Sequence, residues 1–422
     1  MSITEELISL FEINKQRNEW DNWLDDEATW KFIKVVAADP SFKNMMDLEL
    51  AASFLPRLFD DFGFSSKESI GENEAKEFIQ LLNKNMLINM SDYWIVLPLL
   101  NADAAQSIKI SDDISILAGK RDEKLDKLSR IIGLELDETE SRFGHTERSR
   151  SPDFFKDPLL VIKINHQHRI VHENASALAY YAVNLINVLY WGYVFPNQKI
   201  EGFRRLFKSE RVHVNQHVVI QTTNGSNWGH GPLNFEYNCN FNLDWLNEEI
   251  HAKRLSDLMV LIDFYYEQDG LSDRFLRGIR FFVRGINVKS GNRYFDAESD
   301  SILLLNIASE CVLIKSQEER NKTRKIKGRL SKLGDIEEVG IEERRLIIER
   351  MSNLRGSYVH EGLSKNANSY LDGEEKLTEL EAYKKIVGRF LCGAFDLTEK
   401  CRAQAVAEGK DVEEVWFGSF QD

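Results

Sequence analysis

The spacing of hydrophobic and polar positions changes along the chain and predicts an α+β protein. Up to about residue 90, apolar side chains recur at helical spacing among charged ones, with helices expected over 46–62 and 72–90. The following stretch mixes strand and helix patterns. Its predicted strands are 93–99, 107–110, 114–117 and 159–164, its helix is 122–132, and its polar loop is 137–153. From Asn242 onward the pattern is helical. We expect a helical segment (1–90), an α+β module (91–241) and an all-α domain (242–422).

The clearest β signal in the middle module is an alternation typical of an antiparallel hairpin. Apolar residues alternate with polar ones over 212–221 and again over 233–241. Residues 224–231, which are rich in glycine and asparagine, predict a turn-rich loop between these strands. Each strand would therefore have one apolar face and one polar face.

One long uncharged segment has to be tested as a membrane span. Residues 177–195 contain no charged side chain and are just long enough to cross a bilayer. However, Asn184, Asn187 and Gly192 interrupt the apolar run, and no basic flank would orient it. We interpret the segment as a buried central helix and expect no membrane contact.

Composition limits the partners and the compartment. The 422 residues carry a net charge of −14, which argues against a protein that coats nucleic acid but leaves room for local RNA binding. No two cysteines have the CxxC spacing, so we interpret them as free thiols. Free thiols indicate a reducing compartment and a cytoplasmic location. They are Cys239, Cys311, Cys392 and Cys401.

The strongest candidate site lies near the end of a predicted amphipathic helix. Ile347, Met351, Leu354 and Tyr358 form its apolar stripe, and the segment then runs from Arg355 to His360 and Gly362. Five residues turn a helix by about 140°, so Arg355 and His360 do not share a face. A two-fold dimer that brings two such helix ends together would build a composite site.

Two features upstream add to this candidate. Glu310 has aliphatic residues at 303, 307, 313 and 314, and a carboxylate on such a face needs a partner, for which Arg355 is the candidate. Segment 315–332 carries eight basic and two acidic residues. It is either an RNA-binding segment or a solvated helix face. The candidate RNA-binding residues are Lys322, Arg324, Lys325, Lys327 and Arg329.

These residue types suit RNA cleavage without a metal ion. Histidine titrates near neutrality and can move the proton of a 2′-hydroxyl group. Arginine stays charged and binds phosphate through parallel donors. We therefore name Arg355, His360 and Glu310 as the candidate catalytic residues and expect no metal and no cofactor. The alternative is a structural Arg–Glu pair with His360 as an ordinary helix-end residue.

The C-terminal third resembles the ApeA-like branch of the HEPN superfamily. The resemblance rests on Ala308–Ile314 with its glutamate, on the charged linker, and on Asn353-Leu354-Arg355 followed by Val359-His360 and Gly362. It implies an all-α helical bundle, a homodimer, and a metal-independent endoribonuclease that acts as a toxin-like or anti-phage (abortive infection) effector on cellular RNA. Residues 1–241 would then sense a phage-derived trigger or inhibit the nuclease. The alternative is a non-catalytic HEPN module that binds RNA or a protein.

A metal-dependent enzyme in the N-terminal half is the third possibility. His166 and His168 alternate on a predicted strand, with His172 nearby, and such a pair can chelate a metal. No clear carboxylate ligand accompanies them, so we do not favour this site. His213 and His217 are about 13 Å apart on a strand, which is too far for a shared metal.

Overall fold

The computed structural model describes most of the chain. The described residues are 2–17, 27–37, 39, 42, 48–88, 90–99, 102–149, 154–167, 171–195, 216–221, 228–232, 242–263, 270–288, 297–315, 321–337, 339–361 and 378–420. They form helices and one antiparallel sheet, so the α+β class is correct.

The N-terminal helices build a core of their own. They are α1 (Ile3–Arg17), α2 (Glu27–Ala37), α3 (Leu48–Asp61) and α4 (Glu72–Ile88). The predicted helices over 46–62 and 72–90 correspond to α3 and α4. Phenylalanine rings fill the centre, where Phe59 and Phe78 stack 5.1 Å apart and Phe64 lies edge-on to Phe78. These buried side chains form a cluster separate from the core of the sheet.

The sheet of the described residues has six strands in the order β2-β3-β4-β1-β5-β6. The strands are β1 (Met90–Pro98), β2 (Ile108–Lys109), β3 (Ile114–Leu117), β4 (Leu159–Gln167), β5 (Gln216–Gln221) and β6 (Trp228–Pro232). The long central strands β1 and β4 pair from Met90–Gln167 to Pro98–Leu159. The four strands predicted before residue 165 are therefore confirmed.

Both faces of β1 are covered, which explains its continuous apolar sequence. Tyr93, Ile95 and Leu97 point into the core shared with the later helices. Trp94 and Val96 point to the opposite face. There they meet α5 (Arg121–Ile132) and α6 (Leu136–Ser149).

The polar loop predicted over 137–153 is wrong for most of its length, because α6 occupies it. Thr139, Phe143 and Thr146 are buried at i, i+4 and i+7 and form the inward stripe of this helix. Two of these three residues are polar, so the stripe does not stand out as hydrophobic. Thr139 is satisfied locally, because its hydroxyl donates to the Glu135 carbonyl at 3.0 Å.

The predicted hairpin is correct over residues 216–221 of its first strand and wrong over residues 228–231 of its loop, and the rest of both lies outside the described residues. Strand β5 pairs with β6, so Trp228 to Gly231 are strand and not turn. Strand β6 lies at the edge of the sheet, where glycine and the missing N–H of Pro232 are tolerated. The second predicted strand, 233–241, lies outside the described residues.

The uncharged segment forms the central helix that was expected. Helix α7 (Val171–Leu189) continues into one π-helical turn (Tyr190–Val194). Asn187 inside it donates to the Val183 carbonyl at 2.9 Å. Within the described part of the chain, no helix is both long and apolar enough to cross a membrane.

Every described secondary-structure element after Asn242 is a helix, and turns and irregular segments connect the helices. The helices are α8 (Glu249–Asp263), α9 (Gly270–Ile286), α10 (Ala297–Leu313), α11 (Lys322–Leu333), α12 (Ile341–Glu361), α13 (Glu379–Glu408) and α14 (Val412–Gly418). Their buried side chains join those of α7 and one face of the sheet in a single core cluster. One hydrophobic core therefore extends across residue 242, and the three-part division stays a prediction.

Candidate functional site

The Arg–Glu pair predicted from the sequence is present between two packed helices. The Nη2 atom of Arg355 on α12 lies 3.6 Å from the Oε1 atom of Glu310 on α10. Side chains on a helix point toward its N-terminus, so these long side chains on antiparallel helices reach toward each other. They are 32% and 25% exposed, so the pair lies at the edge of the core and not inside it.

The guanidinium of Arg355 retains unused hydrogen-bonding capacity. A separation of 3.6 Å is an ion pair but exceeds the length of a normal hydrogen bond. Its buried Nε has no hydrogen-bond partner among the described residues. Arg355 is therefore paired with Glu310, while its terminal guanidinium nitrogens make no hydrogen bond within the described residues and the side chain is partly exposed.

Tyr383 of α13 lies behind this pair and was not recognised from the sequence as a site residue. Burial raises the pKa of its phenol, while the hydroxyl of Ser309 and the charge of Arg355 lower it and Glu310 raises it. Ser309 donates to the Leu305 carbonyl at 3.1 Å, and the buried Tyr383 hydroxyl has no well-aligned partner among the described residues. Tyr383 is therefore a neutral phenol on which the charges of both members of the ion pair act. In the sequence, Tyr383 belongs to the apolar stripe of a helix, and this position predicts only that the side chain packs in the core.

Two further polar contacts hold α12 against α10. The Ser352 hydroxyl donates to Asn306 Oδ1 at 3.3 Å, and the Tyr358 hydroxyl donates to Asp300 Oδ1 at 2.8 Å. The predicted core stripe is also confirmed, since Ile347 and Met351 are buried and Leu354 and Tyr358 are half-buried. Helix α12 therefore has a fixed rotation, which decides where Arg355 points.

His360 is not brought to Arg355 within one chain. It is exposed in the last turn of α12, next to Val359, which is 47% exposed. Within the described residues, His360 makes no hydrogen bond or ion pair. The two candidate residues project in different directions, as their spacing predicted.

Part of the basic segment lines a groove between α11 and α12. The groove has a volume of about 1030 Å³. Three of the predicted RNA-binding residues line it, Lys322, Arg324 and Lys327, together with Lys332 and Arg345. Its two acidic residues are engaged, because Glu349 pairs with Lys327 and Glu342 pairs with Arg345 at 2.6 Å. Arg324 and Lys332 have no ion-pair partner in the described part of the chain, so the groove is positively charged.

Arg329 faces the core and not the groove. It is 8% exposed, donates to the Leu313 carbonyl at the end of α10, and lies 4.9 Å from the centre of the Phe420 ring. A helix end leaves carbonyls without partners, and Arg329 satisfies one of them. Its position is therefore structural, because Ile326, Arg329 and Leu330 form the buried face of α11. Lys325 is half-buried and does not line the groove.

The turn between α11 and α12 is clamped by one buried arginine. Arg344 donates to the carbonyls of Ser331, Ile336 and Val339 at 3.1, 3.1 and 2.8 Å. It also pairs with Asp335 at 2.5 Å. This clamp fixes the two helices that line the groove, and it was not predicted from the sequence.

The competing sites receive no support from the described residues. These contain no group of three or more His, Cys, Asp or Glu side chains able to hold a metal ion. His168 and His213 lie outside them, and the side chains of His166, His172 and His217 are not described. Cys311, Cys392 and Cys401 are free, and burial raises the pKa of the Cys392 thiol to about 12. Such a thiol is a poor nucleophile. Cys239 lies outside the described residues.

Comparison with known proteins identifies no relative. No family model matches the chain, and neither the curated proteins nor the solved structures include a significant match.

Proposed function

We propose that the protein is a metal-independent endoribonuclease of the HEPN type that acts as a homodimer. The single observation that carries the proposal is the Arg355–Glu310 pair on packed helices, with His360 exposed at the end of the same helix. The C-terminal helices would be the HEPN bundle. The resemblance of the motif residues is the reason for choosing this family.

In the proposed reaction, His360 acts as general base on the 2′-hydroxyl of RNA. The 2′-oxygen attacks phosphorus, and the bond to the 5′-oxygen breaks, which leaves a cyclic phosphate and a 5′-hydroxyl group. Arg355 donates to the phosphoryl oxygens, whose charge grows in the transition state. Glu310 positions Arg355 and does not itself touch the substrate. The partner's copy of the helix end would supply the second histidine as general acid.

The basic groove would bind the RNA strand next to the site. Arg345 and Glu349 of the groove precede Arg355 on α12 by ten and six residues. At about 1.5 Å per residue this is a distance of roughly 9–15 Å along the helix. A strand of a few nucleotides can span it, so the groove can hold RNA phosphates while another phosphate lies at Arg355.

The biological role follows from the same resemblance. We propose a cytoplasmic, toxin-like effector of antiviral defence that causes abortive infection by cutting cellular RNA. Residues 1–241 would respond to a phage-derived trigger or restrain the nuclease. Since the sheet and the C-terminal helices share one core, experiments have to use the full chain.

The test compares wild type with His360→Ala and Arg355→Ala on total cellular RNA in the presence of a chelator. Glu343→Ala is the matched control, because Glu343 is exposed on the same helix and lies outside the motif residues. We expect wild type and Glu343→Ala to cut RNA and both site variants to lose cleavage. Growth of cells that express each protein is followed in parallel, and dimers are checked by light scattering.

The other outcomes favour the alternatives. Cleavage by wild type that disappears only with the chelator would indicate a metal-dependent enzyme. Folded dimers that bind RNA without cutting it, even in cells challenged with phage, would indicate a non-catalytic HEPN module. Equal activity in wild type and His360→Ala would refute the proposed base.

A further inference from the structure

A second cluster of charged and aromatic side chains lies where α8, α13 and the π-helical turn meet. Tyr193 of the turn lies at its centre, with the guanidinium carbon of Arg254 at 3.9 Å and that of Arg389 at 3.7 Å from the ring centre. One face of a phenol has no room for two guanidinium groups at such distances. The arginines therefore stack on opposite faces of the ring.

The backbone fixes this arrangement. A Cβ atom added to Gly192 would lie 2.9 Å from Arg389 N and from the Gly388 carbonyl carbon, so the turn and α13 are in backbone contact. That contact holds Tyr193 beside Arg389. A π turn is often found at functional sites, because it re-aims the side chains of a helix end.

Among the described residues no carboxylate forms an ion pair with either arginine, although Asp396 acts on Tyr193 and Glu248 lies beside His251. Arg254 makes no hydrogen bond or ion pair in the described part of the chain. Within the described residues Arg389 donates its Nε alone, to the Asp335 carbonyl at 3.1 Å. Two guanidinium groups on one ring repel each other, and a bound anion would reduce that repulsion. All three side chains are half-buried, so the cluster remains open to solvent.

His251 leaves a further polar atom unsatisfied at the same corner. Its ring centre lies 6.4 Å from that of Tyr193, and its buried Nδ1 has no hydrogen-bond partner among the described residues. Its Nε2 lies 3.4 Å from Glu248. Burial lowers the pKa of His251, the charge of Glu248 raises it, and the charges of Arg254 and Arg389 lower it.

We propose that Arg254, Arg389 and Tyr193 form a binding site for a phosphate-bearing small molecule, separate from the RNA groove. A tetrahedral oxyanion at the hydroxyl edge of Tyr193 can accept a hydrogen bond from each guanidinium at once. The proposal of this site does not depend on the proposed nuclease activity. The ligand would bind where helix α7, which covers the sheet, ends against α13.

The experiment is calorimetric titration of the full chain with inorganic pyrophosphate at fixed pH and ionic strength. We expect wild type to bind and Arg254→Gln to bind at least about tenfold more weakly, since it loses charge-assisted hydrogen bonds. Two control variants should keep a pyrophosphate affinity within about twofold of wild type. They are Lys253→Gln, at the exposed neighbouring position, and Arg324→Gln, in the groove.

Three results would overturn the proposal: no binding by wild type at millimolar pyrophosphate, equal binding by Arg254→Gln, or loss of binding in Arg324→Gln alone. Arg254 makes no hydrogen bond to the residues that the structure describes, so Arg254→Gln should keep the circular dichroism spectrum of wild type. If the spectrum of Arg254→Gln changes, Arg254→Lys is used instead, because lysine keeps the positive charge but lacks the planar guanidinium group with its parallel donors. That variant should then bind more weakly than wild type, and unchanged binding would also refute the site.

Discussion

Gly192 of the π-helical turn and Gly388 of α13 pack backbone against backbone, so that a Cβ atom on Gly192 would lie 2.9 Å from the Gly388 carbonyl carbon. Gly192→Ala should therefore destabilise the protein by about 2 kcal/mol or more, because backbone atoms have to move apart. Unfolding in urea measures the change.

Gly356 provides the matched control for that substitution. It is also helical, but a Cβ atom there would meet nothing within 4 Å. Gly356→Ala should be neutral or stabilise the protein by up to about 1 kcal/mol, since alanine favours helix over glycine. Similar losses in the two variants would contradict the backbone contact.

Arg329 and Arg324 should behave differently although the sequence treats them alike. Arg329→Ala should lower the free energy of unfolding by about 1–3 kcal/mol, because it leaves the buried Leu313 carbonyl without its donor. Arg324→Ala should change stability by under about 0.5 kcal/mol. Under the proposed function, Arg324→Ala should weaken RNA binding. The slope of log affinity against log salt concentration should become shallower by about one.

Fluorescence anisotropy with labelled RNA at several salt concentrations gives that slope. A folded Arg329→Ala protein with the affinity of wild type would agree with the capping role. A loss of RNA affinity in Arg329→Ala that matches the loss in Arg324→Ala would argue against it.

Glu310→Gln tests whether Glu310 positions Arg355. The pair is partly exposed and 3.6 Å long, so stability should fall by less than about 1 kcal/mol. Under the proposed function, kcat should fall at least about tenfold with little change in KM, because Arg355 acts mainly on the transition state. A variant that folds and cuts RNA at the wild-type rate would show that the pair is structural.

Lys124 should make stability depend on pH. It is 2% exposed in the core beside the sheet and donates to the carbonyls of Phe155 and Asp157 at 2.7 Å each. Burial lowers its pKa to about 8, although Asp157 acts in the opposite direction. Between pH 8 and its ordinary pKa near 10.5, the unfolded chain binds this proton and the folded chain does not. Stability therefore rises with pH across that window, by at most about 3 kcal/mol.

Lys124→Met isolates this contribution, since every other titrating group is common to both proteins. The free energy of unfolding of wild type minus that of the variant should increase from pH 8 to pH 10. A difference that stays constant with pH would mean that Lys124 titrates normally. The carbonyl hydrogen bonds favour the charged amine and would reduce the rise.

The local pattern of apolar and polar positions was enough to predict most helices and strands and one long-range contact. Strand β1 and helices α7 and α12 lie where their apolar positions predict them, because burial on one or both faces dictates those positions. The pair between Glu310 and Arg355 could be anticipated because a carboxylate among aliphatic side chains needs a cation. Helix α6 was missed because threonines occupy part of its buried stripe, and β6 because a sheet edge accepts glycine and proline.

The sequence by itself determined the α+β class, the central uncharged helix, and the pairing of Arg355 with Glu310. Only the tertiary structure decided which basic residues line the groove, that Arg329 caps α10, and that Tyr193 lies between Arg254 and Arg389. The physical reason is that periodicity reports which face of an element is buried. The partners of a long polar side chain depend instead on how distant helices pack, and those contacts leave no regular spacing in the chain.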